Sequence, residues 1–249
     1  MTASEVAAKL QKDKVWASRI EYIATLPARE AHFAEVPDLL SPRVQQVLKG
    51  LGIQQLYSHQ AEAVSHLLAG HNTGIVTSTA SGKTLCYNLA VLEAFERQRT
   101  SRALYVFPTK ALAQDQLRKL RELEAELFLH AATYDGDTPR QDRRDLRAQA
   151  PVILTNPDML HLGILPNHTL WTSLFSHLKY IVFDEVHQYR GLFGSHVANV
   201  IRRLRRVAEY HGASPTFVFC SATVANAREL LEGLSGERVE LIEHDGSPA

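Results

Sequence analysis

Residues 75–84, which read Ile-Val-Thr-Ser-Thr-Ala-Ser-Gly-Lys-Thr, have the residue types and order of a phosphate-binding loop. An apolar and β-branched run leads into a loop of small residues, and apolar residues at helical spacing follow. In a strand–loop–helix unit, the loop N–H groups and the helix N-terminus point at a bound anion. Lys83 would then reach the terminal phosphates, and the Thr84 hydroxyl would bind a bridging Mg²⁺ ion.

The match to the phosphate-loop pattern is imperfect, because Thr77 stands where the pattern has its first glycine. A turn of small residues followed by a chance Gly-Lys-Thr is the alternative. Further polar clusters at the ends of other apolar runs favour the phosphate-binding interpretation.

Two acidic residues, Asp184 and Glu185, directly follow the apolar run Tyr180–Phe183. A carboxylate at such a strand end can hold Mg²⁺ through its water shell, opposite Thr84, and Glu185 is a candidate for polarising the attacking water. The alternative is an ordinary solvated turn. The sequence Asp-Glu-Val-His, about a hundred residues after a phosphate loop, is more specific than either motif alone.

Tyr57 and Gln60 lie three residues apart, so they share one face of a helix predicted to open at Leu56. The amide of Gln60 has a donor and an acceptor, which suits the Hoogsteen edge of adenine, and Tyr57 would stack on the base. The alternative is a helical turn with a solvated glutamine. The phosphate loop some twenty residues downstream favours adenine recognition.

Predicted strands and helices alternate along most of the chain. Apolar runs predict strands at 103–107, 130–134, 152–154, 180–183, 216–220 and 239–242, and the intervening segments predict helices, among them one ending near Ala125 and others at 141–148, 195–210 and 225–234. This alternation predicts an α/β fold with a mostly parallel sheet and helices on both faces. Ligands of such sheets bind beyond the carboxyl ends of the strands, where all of the polar clusters lie.

Residues 1–55 are expected to form a mainly helical N-terminal extension, and residues 56–249 the α/β domain. Ser4 is predicted to cap a first helix through Leu10, and Val15, Trp16 and Ile20 suggest a second helix. Pro27 interrupts the pattern, and Pro42 is placed as the first residue of a helix through Leu48.

The composition limits the class of protein without naming a partner. The chain has 249 residues, of which 45% are hydrophobic, so it can bury a sizeable core. Its 27 basic and 27 acidic residues cancel, so a nucleic-acid site must rest on local features. The two cysteines, Cys86 and Cys220, suggest core residues in a reducing compartment. No signal segment or membrane-length run is apparent, so a soluble, cytoplasmic protein is expected.

Taken together, the motifs resemble the first RecA-like domain of superfamily 2 helicases. The matching segments are Gln60 for the glutamine motif, Ser78–Thr84 for motif I, Pro108–Gln116 for motif Ia, Asp135–Pro139 and Thr155–Asp158 for DNA-contacting motifs, Asp184–His187 for motif II in its DEVH form, and Ser221–Thr223 for motif III. The departures within motif I and the longer strings around residues 108–116, 155–160 and 184–191 resemble the mitomycin-repair helicases of bacteria, whose fungal relatives are likened to the fourth RecQ helicase.

The resemblance implies ATP-driven 3′-to-5′ translocation on single-stranded DNA and a role in DNA repair, with ATP and Mg²⁺ as cofactors. It implies catalytic roles for Lys83, Asp184 and Glu185, and metal binding by Thr84 and Asp184. The ATP-binding set is Tyr57, Gln60, Thr79, Ala80, Ser81, Gly82, Lys83 and Thr84. The set expected to contact DNA phosphates is Thr109, Lys110, Thr138, Thr155 and Asn156, and the set expected to couple nucleotide state to DNA is His187, Ser221 and Thr223.

A superfamily 2 motor also needs a second RecA-like lobe that supplies arginine fingers, and the 26 residues after Thr223 are too few for one. We therefore expect this lobe, taken alone, to bind nucleotide weakly and to hydrolyse it slowly. Two other functions stay open: an ATPase that acts on RNA, and a nucleic-acid-binding module without turnover. The cluster at Arg140–Arg147 is interpreted as a solvated helix with ion pairs, and the cluster at Arg202–Arg206 either covers a surface or contacts a missing domain.

Overall fold

The computed structural model describes residues 2–24, 28–124 and 129–248. The predicted break at Pro27 and the predicted helix end near Ala125 lie outside these residues. The chain divides into two compact units, one formed by Met1–Glu30 with Pro248–Ala249 and the other by Ala31–Ser247.

The smaller unit contains helix α1, Ala3–Lys12. Thr2, rather than the predicted Ser4, caps it: the Thr2 hydroxyl accepts a hydrogen bond from the Glu5 N–H at 3.3 Å, and Glu5 accepts from the Thr2 N–H at 2.8 Å. This reciprocal pair is a capping box, which satisfies two N–H groups at once.

The second predicted helix of the smaller unit is wrong. Only a 3₁₀ turn, Ala17–Arg19, forms there, and Val15 and Trp16 are exposed. The Asp13 carboxylate accepts hydrogen bonds from the N–H groups of Val15 and Trp16 at 2.8 and 3.2 Å. A side chain that binds the backbone in this way competes with helical hydrogen bonding.

The larger unit is built on a seven-stranded parallel sheet, with a separate antiparallel pair. The pair is β1 (Phe33–Ala34) and β2 (Leu56–Tyr57). The strands of the sheet are β3 (Thr73–Val76), β4 (Arg102–Val106), β5 (Ala131–Thr133), β6 (Val152–Thr155), β7 (Leu178–Phe183), β8 (Thr216–Ser221) and β9 (Glu240–Ile242). Their order is β5-β6-β4-β7-β8-β3-β9, and every neighbouring pair is parallel. The predicted parallel sheet is confirmed.

Helices connect these strands. They are α2 (Pro42–Gly50), α3 (Ser58–Leu68), α4 (Lys83–Arg97), α5 (Lys110–Glu124), α6 (Arg143–Gln149), α7 (Pro157–Met159), α8 (Thr172–Ser176), α9 (Gly191–Tyr210) and α10 (Ala227–Ser235). Leu160–Ile164 forms a π-helical turn, and Leu165–Trp171 and Val186–Gln188 form 3₁₀ turns. The predicted helix start at Leu56 is wrong, because Leu56 and Tyr57 pair with β1 and α3 begins at Ser58.

The sheet has an apolar core on each face, because successive strand residues point to opposite sides. In β4, Ala103 and Tyr105 pack with α2, α3, α4 and α5, whereas Leu104 and Val106 pack with α9, α10 and residues 160–175. The predicted placement of helices on both faces is confirmed, and it fits a RecA-like fold.

The compact body begins earlier than the predicted boundary at residue 55. Val44, Val47 and Leu48 of α2 are buried in the same apolar cluster as Leu89 of α4. Helix α2 therefore belongs to the body that starts at Ala31 rather than to the extension. The sequence pattern identified this helix but not the surface on which it packs.

Candidate functional site

The phosphate loop joins β3 to α4. Gly82 adopts a left-handed conformation with φ of +83°, and a Cβ atom there would overlap the amide nitrogen of Gln60. The backbone angle therefore favours glycine, and any larger residue would also displace the amide of Gln60. Ala80 also has a positive φ, +65°, which costs an L-residue about 1 kcal/mol or more. The loop is a locally strained segment that ends where α4 begins, at Lys83.

A cavity of about 500 Å³ opens beside this loop, at the carboxyl edge of β3 and β7. Its volume lies within the range of small-molecule sites. The lining residues are Leu51, Ile53, Gln60, Thr79, Ala80, Gly82, Lys83, Thr84, Leu85, Asn88, Gln116, Lys119, Asp184 and Glu185. The fold thus brings the phosphate loop and the acidic pair, about a hundred residues apart in sequence, to one cavity. Ser81 is buried and does not line the cavity, and its hydroxyl lies 2.7 Å from that of Thr77.

The ammonium group of Lys83 is held by the loop itself. Its Nζ donates hydrogen bonds to the carbonyl oxygens of Thr77 at 3.0 Å and Ser78 at 2.6 Å. The positive charge therefore lies along the loop, within the lining of the cavity. A phosphate in the cavity would compete with these carbonyls for the ammonium hydrogens.

Asp184 is a buried carboxylate directly after β7. Its Oδ2 accepts a hydrogen bond from the Tyr87 hydroxyl at 3.1 Å, and its Oδ1 accepts from the Glu185 N–H at 2.8 Å. Burial raises the pKa of Asp184 to about 6, although both hydrogen bonds oppose the shift. A carboxylate that is costly to ionise when alone gains most from a nearby cation.

The oxygen groups around the cavity suit a Mg²⁺ ion. The Thr84 hydroxyl donates to Oε1 of Gln116 at 3.3 Å, and Asp184 contributes carboxylate oxygens. Mg²⁺ is commonly held by one or two protein oxygen groups together with substrate phosphates and water. Within the described ranges, no cluster of three or more His, Cys, Asp or Glu side chains is arranged to hold a metal alone. The available groups therefore fit a metal shared with phosphates.

Gln60 lines the cavity, whereas Tyr57 does not. The Gln60 Oε1 accepts from the Tyr57 N–H at 3.0 Å, and its Nε2 donates to the Gly82 carbonyl at 3.2 Å. The Tyr57 ring stacks with Phe33 and His59, at centroid distances of 5.3 and 5.9 Å. Adenine recognition by these two residues stays a prediction. The observed contacts tie Gln60 to the phosphate loop.

The residues predicted to couple nucleotide to DNA lie at the ends of β7 and β8, which are adjacent. Nδ1 of His187 is 3.4 Å from the Ala222 N–H and 3.3 Å from Oε2 of Glu185. Because a backbone N–H can only donate, Nδ1 is the acceptor of the first contact. Ser221 is buried, and Thr223 is exposed. The hydrogen bond from the Ala222 N–H therefore connects His187, the last residue of the acidic motif, to the Ser-Ala-Thr motif. With its lone pair used in this way Nδ1 carries no proton, so its contact with Glu185 is not a hydrogen bond.

The predicted DNA-contacting residues lie at the other half of the same edge, after β4, β5 and β6. Thr109 and Lys110 are exposed. The Thr109 hydroxyl accepts from the Leu112 N–H at 3.3 Å, and Nζ of Lys110 forms an ion pair with Asp137 at 2.8 Å. These two residues present a hydroxyl and a charge at the surface.

The other three predicted DNA contacts serve the fold. The Thr138 hydroxyl accepts from the Asp135 N–H at 2.9 Å, and the buried Thr155 hydroxyl donates to the Tyr134 carbonyl at 2.7 Å. Asn156 caps α7 by accepting from the Met159 N–H at 2.8 Å. Their side-chain oxygens shape the loops, so DNA contact by these residues stays a prediction.

Six residues of the cavity were not predicted from the sequence: Leu51, Ile53, Leu85, Asn88, Gln116 and Lys119. Leu51 and Ile53 lie in the segment assigned to the extension, and nothing in their pattern distinguished them from packing residues. Gln116 is the last residue of the string matched to motif Ia, so a signal was present without an assigned role. Tyr87 was also missed, because a tyrosine on a buried helix face usually only packs.

Within the described segments, none of the helices has both the length and the apolar character that a membrane span requires.

Relatives of the chain were found among curated proteins and solved structures. The uncharacterised ATP-dependent helicase YprA of Bacillus subtilis (strain 168) is 50% identical over 223 residues, which cover 89% of this chain and 30% of YprA. The ATP-dependent helicase HRQ1 of Saccharomyces cerevisiae is 42% identical over 254 residues, covering 99% of this chain and 23% of HRQ1. The crystal structure of the DUF1998 helicase MrfA bound to DNA and AMPPNP has a TM-score of 0.91 at 45% identity, covering 99% of this chain and 34% of MrfA.

The chain spans about a third or less of the length of each of these relatives. The matches to HRQ1 and MrfA confirm the predicted resemblance, and the two curated relatives are named as ATP-dependent helicases. Residues 57–230 match the DEAD/DEAH box helicase family, and the chain therefore belongs to that family.

Proposed function

We propose that this chain is the nucleotide-binding lobe of an ATP-dependent DNA helicase that moves 3′ to 5′ along single-stranded DNA and serves DNA repair. One observation carries the proposal: Lys83, Thr84, Asp184 and Glu185 line a single cavity at the carboxyl edge of a parallel sheet. The DNA and AMPPNP bound to MrfA support nucleotide and DNA as its ligands. Polarity and repair rest on the family resemblance.

In this proposal Lys83 and the loop N–H groups bind the phosphates of ATP. Lys83 exchanges its hydrogen bonds to the Thr77 and Ser78 carbonyls for charge-assisted bonds to phosphate oxygens, which are stronger. Leu51 and Ile53 supply apolar surface on the same cavity, where the base and sugar would lie. Gln60 keeps Gly82 in its left-handed conformation and presents the rest of its amide to the base.

Thr84 and Asp184 would hold Mg²⁺, which, when bound, neutralises charge on the transferred phosphoryl group. The carboxylate of Glu185 is positioned at the cavity wall to orient a water molecule and accept its proton. Glu185 has a left-handed backbone, with φ of +54°, and its side chain contacts His187. This strained backbone conformation ends the extended path of β7 at Glu185.

DNA phosphates would be held at the half of the edge formed by β4, β5 and β6. Thr109 and Lys110 are the exposed donors there, and Lys110 would exchange Asp137 for a phosphate. Contacts of this kind carry no base information, which suits movement along any sequence. The hydrogen bond between Ala222 and His187 joins motif III to the motif that contains Glu185. It would therefore connect the nucleotide half of the site to the DNA half.

We also propose that a second RecA-like lobe completes the nucleotide site and that this lobe alone turns ATP over slowly. Among the described residues, the cavity wall contains lysines but no arginine. An arginine finger contributes about 10³–10⁵ in rate to related phosphoryl transfer. Adding the partner lobe in trans should therefore raise the turnover of the isolated chain.

The test of the proposed function is the binding of a fluorescent ATP analogue in the presence of Mg²⁺. Lys83→Ala should weaken binding at least tenfold, because charge-assisted hydrogen bonds are lost. Lys179→Ala is the matched control, since Lys179 is exposed on β7 and does not line the cavity. Equal affinity of the Lys83 variant and the parent chain would contradict the proposal.

Substrate and polarity need separate measurements. Competition between oligo-dU and oligo-U over a salt series distinguishes a DNA enzyme from an RNA enzyme, because the two strands share the phosphates and the base and differ only in the sugar. Translocation of the two-lobe protein on strands labelled at either end reports polarity. Arrival at the 5′ end is expected, and arrival at the 3′ end would overturn that part of the proposal.

A further inference from the structure

The loop that follows β9 lies directly against the phosphate loop. Strands β3 and β9 are parallel neighbours, and Ile75 lies opposite Ile242. Because they are parallel, both strands leave the sheet at the same edge. Three residues after Ile75 and Ile242, Ser78 lies beside Asp245. We name residues 245–247, Asp-Gly-Ser, the β9 clamp. Its placement follows from strand register.

The carboxylate of Asp245 connects the clamp to the phosphate loop. Its Oδ2 accepts hydrogen bonds from the Ser78 N–H, at 3.1 Å, and from the Ser78 hydroxyl. Its Oδ1 accepts from the N–H and hydroxyl of Ser247, at 2.9 and 2.7 Å. Burial opposes ionisation, but the hydrogen bonds from Ser78 and Ser247 outweigh it and hold the pKa of Asp245 well below its usual range. Asp245 is thus a charged acceptor in a fixed orientation.

A second connection runs through His59, whose side chain is fully buried. Its Nδ1 accepts a hydrogen bond from the Gly246 N–H at 3.2 Å. The ring proton is therefore on Nε2, which donates to the Ser81 carbonyl at 3.0 Å. One neutral imidazole links the clamp to the residue that precedes Gly82 and Lys83.

The clamp is fixed to the body of the domain by Gly246. Its carbonyl accepts from the His32 N–H at 2.9 Å. A Cβ atom at this position would overlap the Ser58 hydroxyl and lie 2.9 Å from the His32 carbonyl oxygen. Only glycine fits here, so the clamp holds one position relative to the phosphate loop.

We infer that Asp245 and His59 are positioning residues that set the geometry of the phosphate loop for nucleotide binding. Neither lines the cavity, so both act through the loop rather than by touching the nucleotide. Asp245 holds Ser78, and His59 holds Ser81, on either side of Ala80. This inference rests on the proposed function, because it assigns the two residues to the same ATP site.

The sequence of the loop gives a physical reason for external support. Thr77 stands at the first glycine of the phosphate-loop pattern, and Ala80 has a positive φ that residues with a Cβ atom adopt only at an energetic cost. Strained conformations persist where the surroundings over-determine them. The hydrogen bond that Asp245 accepts from Ser78 and the one that His59 donates to the Ser81 carbonyl supply that constraint from outside the loop.

The experiment compares the dissociation constant of a fluorescent Mg²⁺–ATP analogue for the parent chain, Asp245→Ala, Asp245→Asn and Ser78→Ala. Asp245→Ala should raise the dissociation constant about tenfold, the equivalent of one lost hydrogen bond to a charged group. Asp245→Asn keeps one acceptor oxygen and should lie between the alanine variant and the parent. Glu243→Gln is the matched control, since Glu243 is an exposed acid of the same segment, and it should bind like the parent.

Each variant is measured well below its melting temperature, so that only folded protein contributes. A purely structural role of Asp245 would lower the melting temperature and leave the dissociation constant of the folded protein unchanged. The double variant Ser78→Ala/Asp245→Ala should bind no more weakly than Asp245→Ala, because the two side chains act as one contact.

Two results would overturn the inference, and they are distinguishable. If Lys83→Ala weakens binding but Asp245→Ala lies within twofold of the parent, the clamp does not position the loop, and the proposed function stands. If the parent shows no Lys83-dependent binding, the proposed function fails, and the inference fails with it. Ser78→Ala removes an exposed hydroxyl and its hydrogen bond to Asp245, so it should weaken binding in the same direction even if Asp245→Ala does not fold.

Discussion

The hydroxyl of Tyr87 donates a 3.1 Å hydrogen bond to Oδ2 of Asp184, and the two residues are 97 positions apart. Tyr87 lies on α4, the helix that begins at Lys83, and both partners are buried. The phosphate-binding helix and the acidic motif are therefore in direct contact. The hydroxyl stabilises the ionised form of the carboxylate and fixes its orientation.

Tyr87→Phe removes this hydrogen bond and little else. We expect the affinity for Mg²⁺–nucleotide to fall by about 1 kcal/mol, or about fivefold, because the carboxylate loses a donor that favours its charged form. Titration of a fluorescent ATP analogue measures the change. Tyr180→Phe is the control, since the Tyr180 hydroxyl donates to the Leu67 carbonyl, away from the cavity. An unchanged affinity of the Tyr87 variant would show that the contact is only structural.

In the absence of metal and nucleotide, Asp184→Asn should stabilise the folded protein at neutral pH. Burial raises the pKa of Asp184 from 3.8 to about 6, so the folded state binds its proton more tightly than the unfolded state. The resulting stability is complete below pH 3.8 and is lost as the pH rises through about 6. At pH 7 the ionised carboxylate lowers the free energy of unfolding by up to about 3 kcal/mol, which asparagine avoids.

Thermal unfolding of the Asp184 variant and the parent between pH 4.5 and 7.5 tests this expectation. The difference in melting temperature should grow as the pH rises, and Glu243→Gln should show no such trend, because Glu243 is exposed. An Asp184 variant that is less stable than the parent at pH 7 would contradict the expected sign.

His187→Ala should uncouple hydrolysis from DNA. The hydrogen bond from the Ala222 N–H to Nδ1 of His187 connects the ends of β7 and β8, and neither residue lines the nucleotide cavity. We therefore expect nucleotide affinity within twofold of the parent and DNA stimulation of the ATPase reduced about tenfold in the two-lobe protein, the equivalent of one hydrogen bond. His66→Ala, on the partly exposed surface of α3, is the control. Full DNA stimulation in the His187 variant would refute the assignment.

Lys110 and Asp137 should have opposite effects on DNA binding. The hydrogen bond to Asp137 raises the pKa of Lys110, so the side chain is an ammonium that is already paired. Lys110→Ala should weaken oligo-dT binding and reduce the slope of log K against log salt by about 0.7, the value for one phosphate contact on a single strand. Asp137→Asn releases the ammonium and should strengthen binding.

Fluorescence anisotropy with oligo-dT over a salt series measures both variants. Lys179→Ala is the control, since Lys179 is an exposed lysine of β7 without a predicted DNA role. If Asp137→Asn and Lys110→Ala weaken binding equally, the ion pair acts as one structural unit, and Lys110 does not contact phosphate.

The sequence by itself determined the local units of this protein. Apolar runs such as Tyr180–Phe183 and the small-residue loop before Lys83 are contiguous, so their residue types and spacing were enough to predict a strand, a loop and a helix. The shared edge of the polar clusters also followed, because alternating strands and helices give a parallel sheet. Two predicted helical segments were wrong because other hydrogen bonds replaced those of a helix. The Asp13 carboxylate binds the backbone after α1, and Leu56 and Tyr57 pair with β1.

Only the tertiary structure decided which of these units are neighbours. Strand order places β8 and β9 on either side of β3 and β7 next to β8. It brings Tyr87 to Asp184, Gln116 to Thr84 and Asp245 to Ser78. Apolar periodicity shows which face of a strand is buried but not which strand lies next to it. Contacts between distant residues depend on that order, so the support of the phosphate loop by α4, α5 and the β9 clamp became visible only in the folded chain.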